Sequence, residues 1–221
     1  MSTDITDHLT FHESFTPEDF DREYNLRLGR PDFEETVIPP WVAGSEAAKA
    51  ARPCESDIRY GEGPKQKLDV FTAGPNAPTL VYFHGGYWKS GDKSLYGFFA
   101  APFVAAGVSV ILVGYDLCPD GTVTRIAEEA REAVAYIWRN GEALGIDRDQ
   151  LTVMGHSAVG HITQMGMGTS WPGFAEDLPS DLVKAGIPIS PVSYLEPVRL
   201  TEALNSGIGM DAEEAQAQSP M

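Results

Sequence analysis

Cysteine and histidine are scarce in this sequence, which has two cysteines and five histidines among its 221 residues. Cys54 and Cys118 lie far apart, without the Cys-x-x-Cys or Cys/His spacing that a structural zinc site requires. We therefore expect free thiols in a reducing compartment, and no metal site. His8 and His12 have the four-residue spacing of a helical metal pair. With only Glu13 beside them, they are better explained as solvated side chains.

Long apolar runs and basic residues are also few. No segment approaches the roughly 20 apolar residues of a membrane-spanning helix. The first residues carry acids and histidines where a signal peptide needs an apolar stretch, so we expect a cytoplasmic protein. Lys and Arg number 16 against 32 for Asp and Glu, which gives a formal charge of −16. Nucleic acids and anionic membranes would repel such a chain, so neither is an expected partner.

The sequence does contain enough chain for one domain, since a protein of this size buries roughly 70% of its unfolded surface. Residues 1–55 are polar and acidic, and Thr16-Pro17 has the form of a helix start with threonine as the N-cap. This segment also carries large apolar side chains, too many for a free tail: Phe11, Phe15, Phe20, Tyr24, Leu26 and Trp41. We expect residues 1–55 to form an arm that packs on a domain spanning residues 56–221 and extends over its active site.

Residues 56–221 alternate short apolar runs with amphipathic segments. An antiparallel hairpin is predicted first, over residues 57–60 and 67–71. Continuous apolar runs then predict buried strands at residues 79–83, 108–113, from 151 and at 185–190. Helical periodicity predicts helices at residues 94–106, from 121 to near 145, after 157 and near 213. This order indicates an α/β fold, with a mostly parallel sheet and helices on both faces.

A sharp turn is predicted where the strand beginning at residue 151 gives way to a helix, and Ser157 lies at its apex. The pattern is close to the G-x-S-x-G nucleophile elbow, in which a strained turn holds a serine hydroxyl clear of the sheet. Gly155 fits this pattern, but Val159 stands where the elbow has a glycine, and Gly160 comes one residue too late to replace it. We expect Val159 to overpack the elbow by about 1–3 kcal/mol, so that Val159→Gly raises the melting temperature.

A second motif, His84-Gly85-Gly86-Tyr87-Trp88, directly follows the predicted strand at residues 79–83. Behind such elbows, the oxyanion hole combines the N–H after the nucleophile with an N–H from the loop after the third strand. Glycines in that loop leave room for the backbone to approach a carbonyl group. The His84 side chain is expected to brace the loop rather than act as a base. His156 and His161, beside the elbow, are expected to be packed or capping groups.

The two motifs together resemble those of α/β hydrolases, and His-Gly-Gly-x-Trp resembles the signature of kynurenine formamidases (arylformamidases) and their bacterial esterase-like relatives. The resemblance runs from about residue 55 to the end of the chain. Its further matches are Tyr60-Gly61-Glu62-Gly63, Leu68-Asp69-Val70-Phe71, Gly91-Asp92-Lys93, Gly155-His156-Ser157-Ala158, Leu195-Glu196-Pro197 and, near the end, Ala215 and Ser219-Pro220.

The resemblance implies Ser157 as the nucleophile and the backbone N–H groups of Gly86, Tyr87 and Ala158 as oxyanion donors. His84, Gly85, Trp88 and Gly155 would be motif residues that shape the site. It also implies hydrolysis of N-formyl-L-kynurenine to kynurenine and formate in tryptophan catabolism. Ser157 would attack the formyl carbonyl, and no cofactor would be needed.

A base for Ser157 is not found in the sequence. In this fold the order is Ser, then Asp or Glu, then His, whereas the last histidine is His161, four residues after the serine. Asp211 falls in a different part of the family pattern. We expect the acid and the histidine on two further strands, roughly 60 residues of βα structure that this chain lacks. The domain would then be C-terminally incomplete, with negligible turnover, and an open edge at residues 185–190 would allow a homodimer.

Two other functions remain open. A carboxylesterase for small acyl esters would use the same residues with a differently shaped pocket. A non-catalytic relative that acts by binding is favoured by the absent histidine, and failure of a fluorophosphonate to label Ser157 would support it. A dehydrogenase is disfavoured, because no G-x-G-x-x-G follows the first strand.

Overall fold

The centre of the protein is a six-stranded sheet with the order β1-β2-β4-β3-β5-β6. The computed structural model describes residues 14–220, so His8, Phe11 and His12 lie outside the described residues. The strands are β1 (Cys54–Arg59), β2 (Lys67–Phe71), β3 (Thr79–Phe83), β4 (Ser109–Val113), β5 (Leu151–His156) and β6 (Val183–Ile189). The β1–β2 hairpin is antiparallel and β2 pairs antiparallel with β4, whereas β4, β3, β5 and β6 are parallel. The predicted mostly parallel sheet is confirmed.

Helices cover both faces of this sheet. They are α1 (Pro17–Tyr24), α2 (Leu26–Gly29), α3 (Phe33–Thr36), α4 (Ile38–Ala51), α5 (Gly97–Ala105), α6 (Val123–Arg139), α7 (Ala158–Met167), α8 (Trp171–Phe174), α9 (Glu196–Arg199), α10 (Glu202–Ile208) and α11 (Ala212–Ala217). Several boundaries differ from the predicted ones, since β1 begins at Cys54 instead of residue 57 and β6 begins at Val183 instead of residue 185. Two helices differ as well. The helix predicted at residues 94–106 is a 3₁₀ turn, Lys93–Tyr96, followed by α5. Helix α6 ends at Arg139 because Asn140, whose side chain donates to the Tyr136 carbonyl, begins a series of turns.

Alternate residues of the central strands face opposite sides of the sheet and build two apolar layers. Leu68, Val81 and Phe83 pack on one side with side chains of α6 and α7. Phe71, Leu80 and Tyr82 and their neighbours pack on the other side against α5. Every residue of β3 and β4 is buried, which explains why these strands are continuously apolar in sequence.

A buried carboxylate joins three separate segments beneath one end of the sheet. Asp69 on β2 is fully buried and pairs with Lys49 of α4 at 2.6 Å and with Lys93 at 2.5 Å. The Asp57 amide donates to the same carboxylate at 3.0 Å. Burial alone would lower the pKa of Lys93, but its hydrogen bonds to Asp57 and Asp69 raise that pKa. The ion pairs hold the segment after the His84–Trp88 loop against β2 and α4.

The N-terminal helices contact the segments that surround the sheet's carboxyl edge. Thr16 caps α1 in a reciprocal capping box with Asp19, as the threonine and proline predicted. The Tyr87 hydroxyl donates to the Tyr24 carbonyl at 2.9 Å, and the Asp21 carboxylate accepts from the first turn of α10 at Ala203 N, also at 2.9 Å. The division into an arm, residues 1–55, and a domain, residues 56–221, stays a prediction.

Strand β6 lies at one end of the sheet and, in the described chain, pairs with β5 only. Ile187 and Ile189 on this strand keep 43% and 38% of their surface exposed. Between residues 14 and 220, no helix combines the length and the hydrophobicity needed to cross a bilayer.

Candidate active site

Ser157 occupies a strained turn between β5 and α7. Its φ of 63° and ψ of −133° lie outside the regions that a non-glycine residue readily adopts. The turn is held by backbone hydrogen bonds from Ser157 N to Ile189 O at 2.9 Å and from Gly160 N to Ser157 O at 2.8 Å. Gly155 permits the close crossing of strand and helix, because a Cβ there would overlap the carbonyl oxygen of Val159. A serine with positive φ between a strand and a helix has the backbone conformation expected of a nucleophile elbow.

The tight contact with the neighbouring strand lies one residue later than the elbow motif predicts. A Cβ on Gly160 would come within 2.9 Å of Pro191 Cα, just beyond β6. Val159 instead packs in the core with none of its surface exposed. The close contact that the motif predicts at position 159 is therefore found at Gly160, because α7 presents Gly160 to the end of β6 and Val159 to the hydrophobic layer. Overcrowding by Val159 loses its structural basis and stays an untested prediction.

The loop after β3 has three consecutive residues with positive φ: Gly86 at 135°, Tyr87 at 49° and Trp88 at 56°. The Gly86 carbonyl accepts hydrogen bonds from Lys89 N at 3.1 Å and Ser90 N at 3.0 Å, which closes the loop into a tight turn. Any Cβ on Gly86 would overlap the Ser90 carbonyl oxygen. Within residues 14–220, no protein acceptor takes the N–H groups of Gly86, Tyr87 or Ala158. Free amides of this kind can receive a developing negative charge.

The loop and the elbow lie side by side at the carboxyl ends of the parallel strands. Phe83 on β3 is in register with Gly155 on β5, so the residues that follow each strand emerge together. A Cβ on Gly85 would come within 2.9 Å of His156 O and 3.4 Å of Ser157 Cβ. A side chain at Gly85 would therefore fill the space beside the serine.

Two of the described histidines are sealed in the protein interior. His84 stacks on Tyr115 with ring centroids 4.5 Å apart, and its Nδ1 donates to Gly85 O at 3.0 Å. His161 donates from Nε2 to Gln218 O at 2.7 Å. Burial lowers the pKa of each imidazole to about 4. Both rings are therefore neutral at physiological pH, and their contacts brace the loop and α7.

His156 differs from the expectation of a packed or capping group. Its side chain is exposed and lines the same cavity as Ser157. The reason is the elbow itself, which turns the last residue of β5 outward at the edge of the sheet. No hydrogen bond joins the Ser157 hydroxyl to a histidine within residues 14–220.

A cavity of about 550 Å³ opens above Ser157. Its floor is formed by Gly85, Gly86, Tyr87, His156 and Ser157, and its remaining walls come largely from the N-terminal helices. Those walls include Arg27, Arg30, Phe33, Glu34, Ile38 and Trp41, together with Lys89, Tyr96 and Leu204. The sequence pointed to the floor through its two motifs and to the aromatic residues of the arm as packing groups. It carried no signal that Arg27 or Arg30 reaches the serine's cavity.

The other candidate sites in the described chain lack the serine and a set of metal ligands. A second cavity of about 690 Å³ lies between the β1–β2 turn, the segment after β4 and α6, and Ser157 does not line it. The described residues contain no group of three or more His, Cys, Asp or Glu side chains arranged to hold a metal ion.

A serine at a strained strand-to-helix turn, a glycine-rich loop beside it and a mixed sheet of this order define an α/β hydrolase. The chain belongs to the BD-FAE family, whose sequence model matches residues 68–179. It is similar to a kynurenine formamidase of Danio rerio, with 30% identity over 89% of this chain and 66% of that protein. The predicted resemblance to kynurenine formamidases is confirmed. The chain spans just under two thirds, 66%, of the length of that relative.

Two further relatives extend the comparison. The chain is 29% identical to the esterase LipC of Mycobacterium tuberculosis over 128 residues, which cover 55% of this chain and 32% of LipC. A crystal structure of a provisionally assigned thioesterase from Silicibacter sp. TM1040 matches with a TM-score of 0.74 and 30% identity, covering 91% of this chain and 74% of that chain.

Proposed function

We propose that this chain carries the acylation site of an arylformamidase, which hydrolyses N-formyl-L-kynurenine to kynurenine and formate. The observation that carries the proposal is a serine in a strained turn that shares an aromatic-walled cavity with Gly86 and Tyr87. The N–H groups of these two residues, and that of Ala158 next to the serine, have no protein acceptor within residues 14–220. The similarity to a kynurenine formamidase supports the choice of substrate.

In the proposed reaction, the Ser157 oxygen attacks the formyl carbon and forms a tetrahedral intermediate. The N–H groups of Gly86, Tyr87 and Ala158 receive the oxyanion, and each such donor contributes about 3–4 kcal/mol to transition-state stability. Ala158 is the first residue of α7, so the positive end of the helix dipole adds to this effect. The C–N bond then breaks, the serine proton leaves with the aryl amine, and water releases formate.

No histidine among residues 14–220 hydrogen-bonds to the Ser157 hydroxyl, so the described chain shows no base in position to take its proton. His84 and His161 are buried and hold their hydrogen bonds elsewhere. His156 lines the cavity without a hydrogen bond to the serine hydroxyl, and the sequence has no histidine after residue 161. General-base catalysis is worth roughly 10²–10⁴-fold. We therefore expect negligible turnover from the 221-residue chain by itself, with the binding pocket and the oxyanion donors still in place.

The direct test has two arms, both on the full chain with Ser157→Ala as the control. We expect slow labelling by a fluorophosphonate at Ser157 only, and turnover of N-formylkynurenine and p-nitrophenyl acetate far below 1 s⁻¹, roughly the lower end of typical enzymes. Labelling that persists in Ser157→Ala would remove Ser157 from its proposed role. Turnover above about 1 s⁻¹ with either substrate would show that a base has been missed.

A carboxylesterase for small acyl esters is the second candidate, favoured by the similarity to LipC. The same serine and amides would act on an ester, so the ratio of kcat/KM for an aryl formamide and an aryl acetate separates the two activities. A relative that acts by binding is the third candidate, favoured by the lack of a base. Complete failure of the fluorophosphonate to react would support it.

The remaining proposals concern location and partners. We infer a cytoplasmic protein that acts on a small molecule. We also infer no nucleic-acid or membrane partner, because the formal charge of −16 repels both polyanions. The exposed β6 edge supports pairing with a second copy. Light scattering of the full chain tests this, and a monomer at all concentrations would contradict it.

A further inference from the structure

The cavity above Ser157 has the opposite charge balance to the rest of the protein. The whole chain has twice as many acidic as basic residues, 32 against 16. The cavity is lined by three basic side chains, Arg27, Arg30 and Lys89, and by one carboxylate, Glu34. A cationic pocket on an anionic protein concentrates anionic ligands at that point and repels them elsewhere.

The three basic groups are not equally available to a ligand. Lys89 donates to the Ala203 and Leu204 carbonyls at 3.2 and 3.3 Å, so its ammonium holds α10 in place. The Arg30 guanidinium pairs at 3.2 Å with Asp32, which is not part of the cavity wall. Arg27 pairs with Glu34 at 3.1 Å, and both members of this pair line the cavity.

Arg27 is also positioned by an aromatic ring. Its guanidinium carbon lies 3.6 Å from the centroid of the Phe33 ring. Phe33 in turn contacts Trp41 edge-to-face, with ring centroids 5.7 Å apart, and Trp41 contacts Tyr96 at 5.4 Å. A planar guanidinium stacked in this way keeps its in-plane N–H groups directed outward, where they can bind a carboxylate in a bidentate manner.

The Arg27–Glu34 pair is a weak one. Arg27 and Glu34 keep 50% and 70% of their side-chain surface exposed, and exposed pairs of this kind contribute little to stability. A ligand carboxylate entering the cavity can therefore replace Glu34 as the partner of Arg27. The ligand would be held by contacts with the cavity walls as well as by its ion pair with Arg27.

We propose that Arg27 selects substrates that carry a carboxylate together with an aryl group. Arg27 would exchange Glu34 for the ligand carboxylate, while the wall of Phe33, Trp41 and Tyr96 contacts the ring. This role in specificity rests on the proposed function of the Ser157 site, which it deepens. Arg27 is a binding residue and takes no part in the bond-making step.

The test measures binding by calorimetry on the full chain, so it does not depend on turnover. The probes are 4-phenylbutyrate and its uncharged amide, 4-phenylbutyramide, which differ only in the carboxylate. The wild type should bind the acid roughly five-fold or more tightly than the amide, and salt should reduce this preference. Arg27→Gln should abolish the preference without changing amide affinity. Glu34→Gln, which removes the same ion pair, should instead tighten binding of the acid.

The opposite signs expected for Arg27→Gln and Glu34→Gln separate recognition from loss of stability, which would weaken binding in both variants. Arg22→Gln is the matched control, because Arg22 is an exposed arginine of α1 that pairs with Asp19 outside the cavity. Equal binding of acid and amide to the wild type, absence of binding by both, or an unchanged preference in Arg27→Gln would each overturn the proposal. If Ser157 reacts with the fluorophosphonate in that case, the hydrolase function stands without this specificity. If the preference for the acid depends on Arg27 but the fluorophosphonate does not label Ser157, the specificity proposed for Arg27 stands and the catalytic role of Ser157 is contradicted.

Discussion

The burial of Val159 leads to a stability prediction of opposite sign to the one that the elbow motif suggests. Its side chain has no exposed surface and packs in the layer between the sheet and α6 and α7. The motif alone implies that glycine would relieve crowding at this position. The structure places the close backbone contact at Gly160 instead, where an added Cβ would lie 2.9 Å from Pro191 Cα.

The loss in unfolding free energy follows from the buried atoms that each substitution removes. Val159→Ala takes away two buried methyl groups at about 0.8 kcal/mol each, and the cavity that remains adds to the loss at about 24 cal/mol per Å³. Alanine's better helix propensity returns part of this, so the net loss is about 2 kcal/mol. Val159→Gly also removes the buried Cβ, at about 0.8 kcal/mol, and a further ~1 kcal/mol of helix propensity, or about 4 kcal/mol in all. For a chain of this length, that corresponds to a fall of roughly 8–16 °C in melting temperature.

Urea unfolding followed by far-UV circular dichroism gives the free energies of unfolding for wild type, Val159→Ala and Val159→Gly. Stability should fall in that order. Gly160→Ala provides the contrast, because it adds one methyl group and should still destabilise the protein through the contact with Pro191. A higher unfolding midpoint for Val159→Gly, or a neutral Gly160→Ala, would refute the placement of these two residues.

Three further predictions concern the ion pairs, the loop and the buried histidines. Asp69→Asn should cost about 3–5 kcal/mol of unfolding free energy, because it leaves two lysines around an uncharged buried group. Asp57→Asn, at a side chain that is 64% exposed, should cost under about 1 kcal/mol. Equal losses in the two variants would contradict this explanation. Gly85→Ala should abolish fluorophosphonate labelling by filling the space beside Ser157. Its unfolding midpoint should fall, because the added Cβ lies 2.9 Å from His156 O, but a single cooperative transition should show that the fold survives. Normal labelling of this variant would exclude the crowding. The pKa values of His84 and His161 are lowered from 6.5 to about 4. Between these pH values, the unfolded chain therefore binds more protons than the folded protein. The free energy of unfolding should be highest above about pH 6.5 and fall as the pH drops toward 4. His161→Gln should reduce that slope in urea titrations at pH 7 and pH 5, and an unaltered slope would argue against a buried neutral imidazole.

Local sequence patterns predicted much of the fold. Strand β3 occupies residues 79–83 as expected, because a continuous apolar run is bounded by Pro78 on one side and a glycine-rich loop on the other. The Thr16-Pro17 signal predicted the start of α1 correctly, since capping depends on residues within one turn of helix. The helix boundaries that moved are those of the 3₁₀ turn before α5 and the end of α6. Apolar periodicity continues past both points, although the backbone changes conformation there.

The sequence by itself determined the chemistry that the site can contain: a serine between a strand and a helix, and a glycine-rich loop after a buried strand. These are short motifs, and residues adjacent in the chain dictate their backbone conformations. Tertiary structure alone decided that Gly160 rather than Val159 meets the neighbouring strand, and that Arg27 shares a cavity with the serine. Each of these contacts joins segments far apart in the sequence, so it depends on how the helices pack on the sheet, which no local pattern specifies.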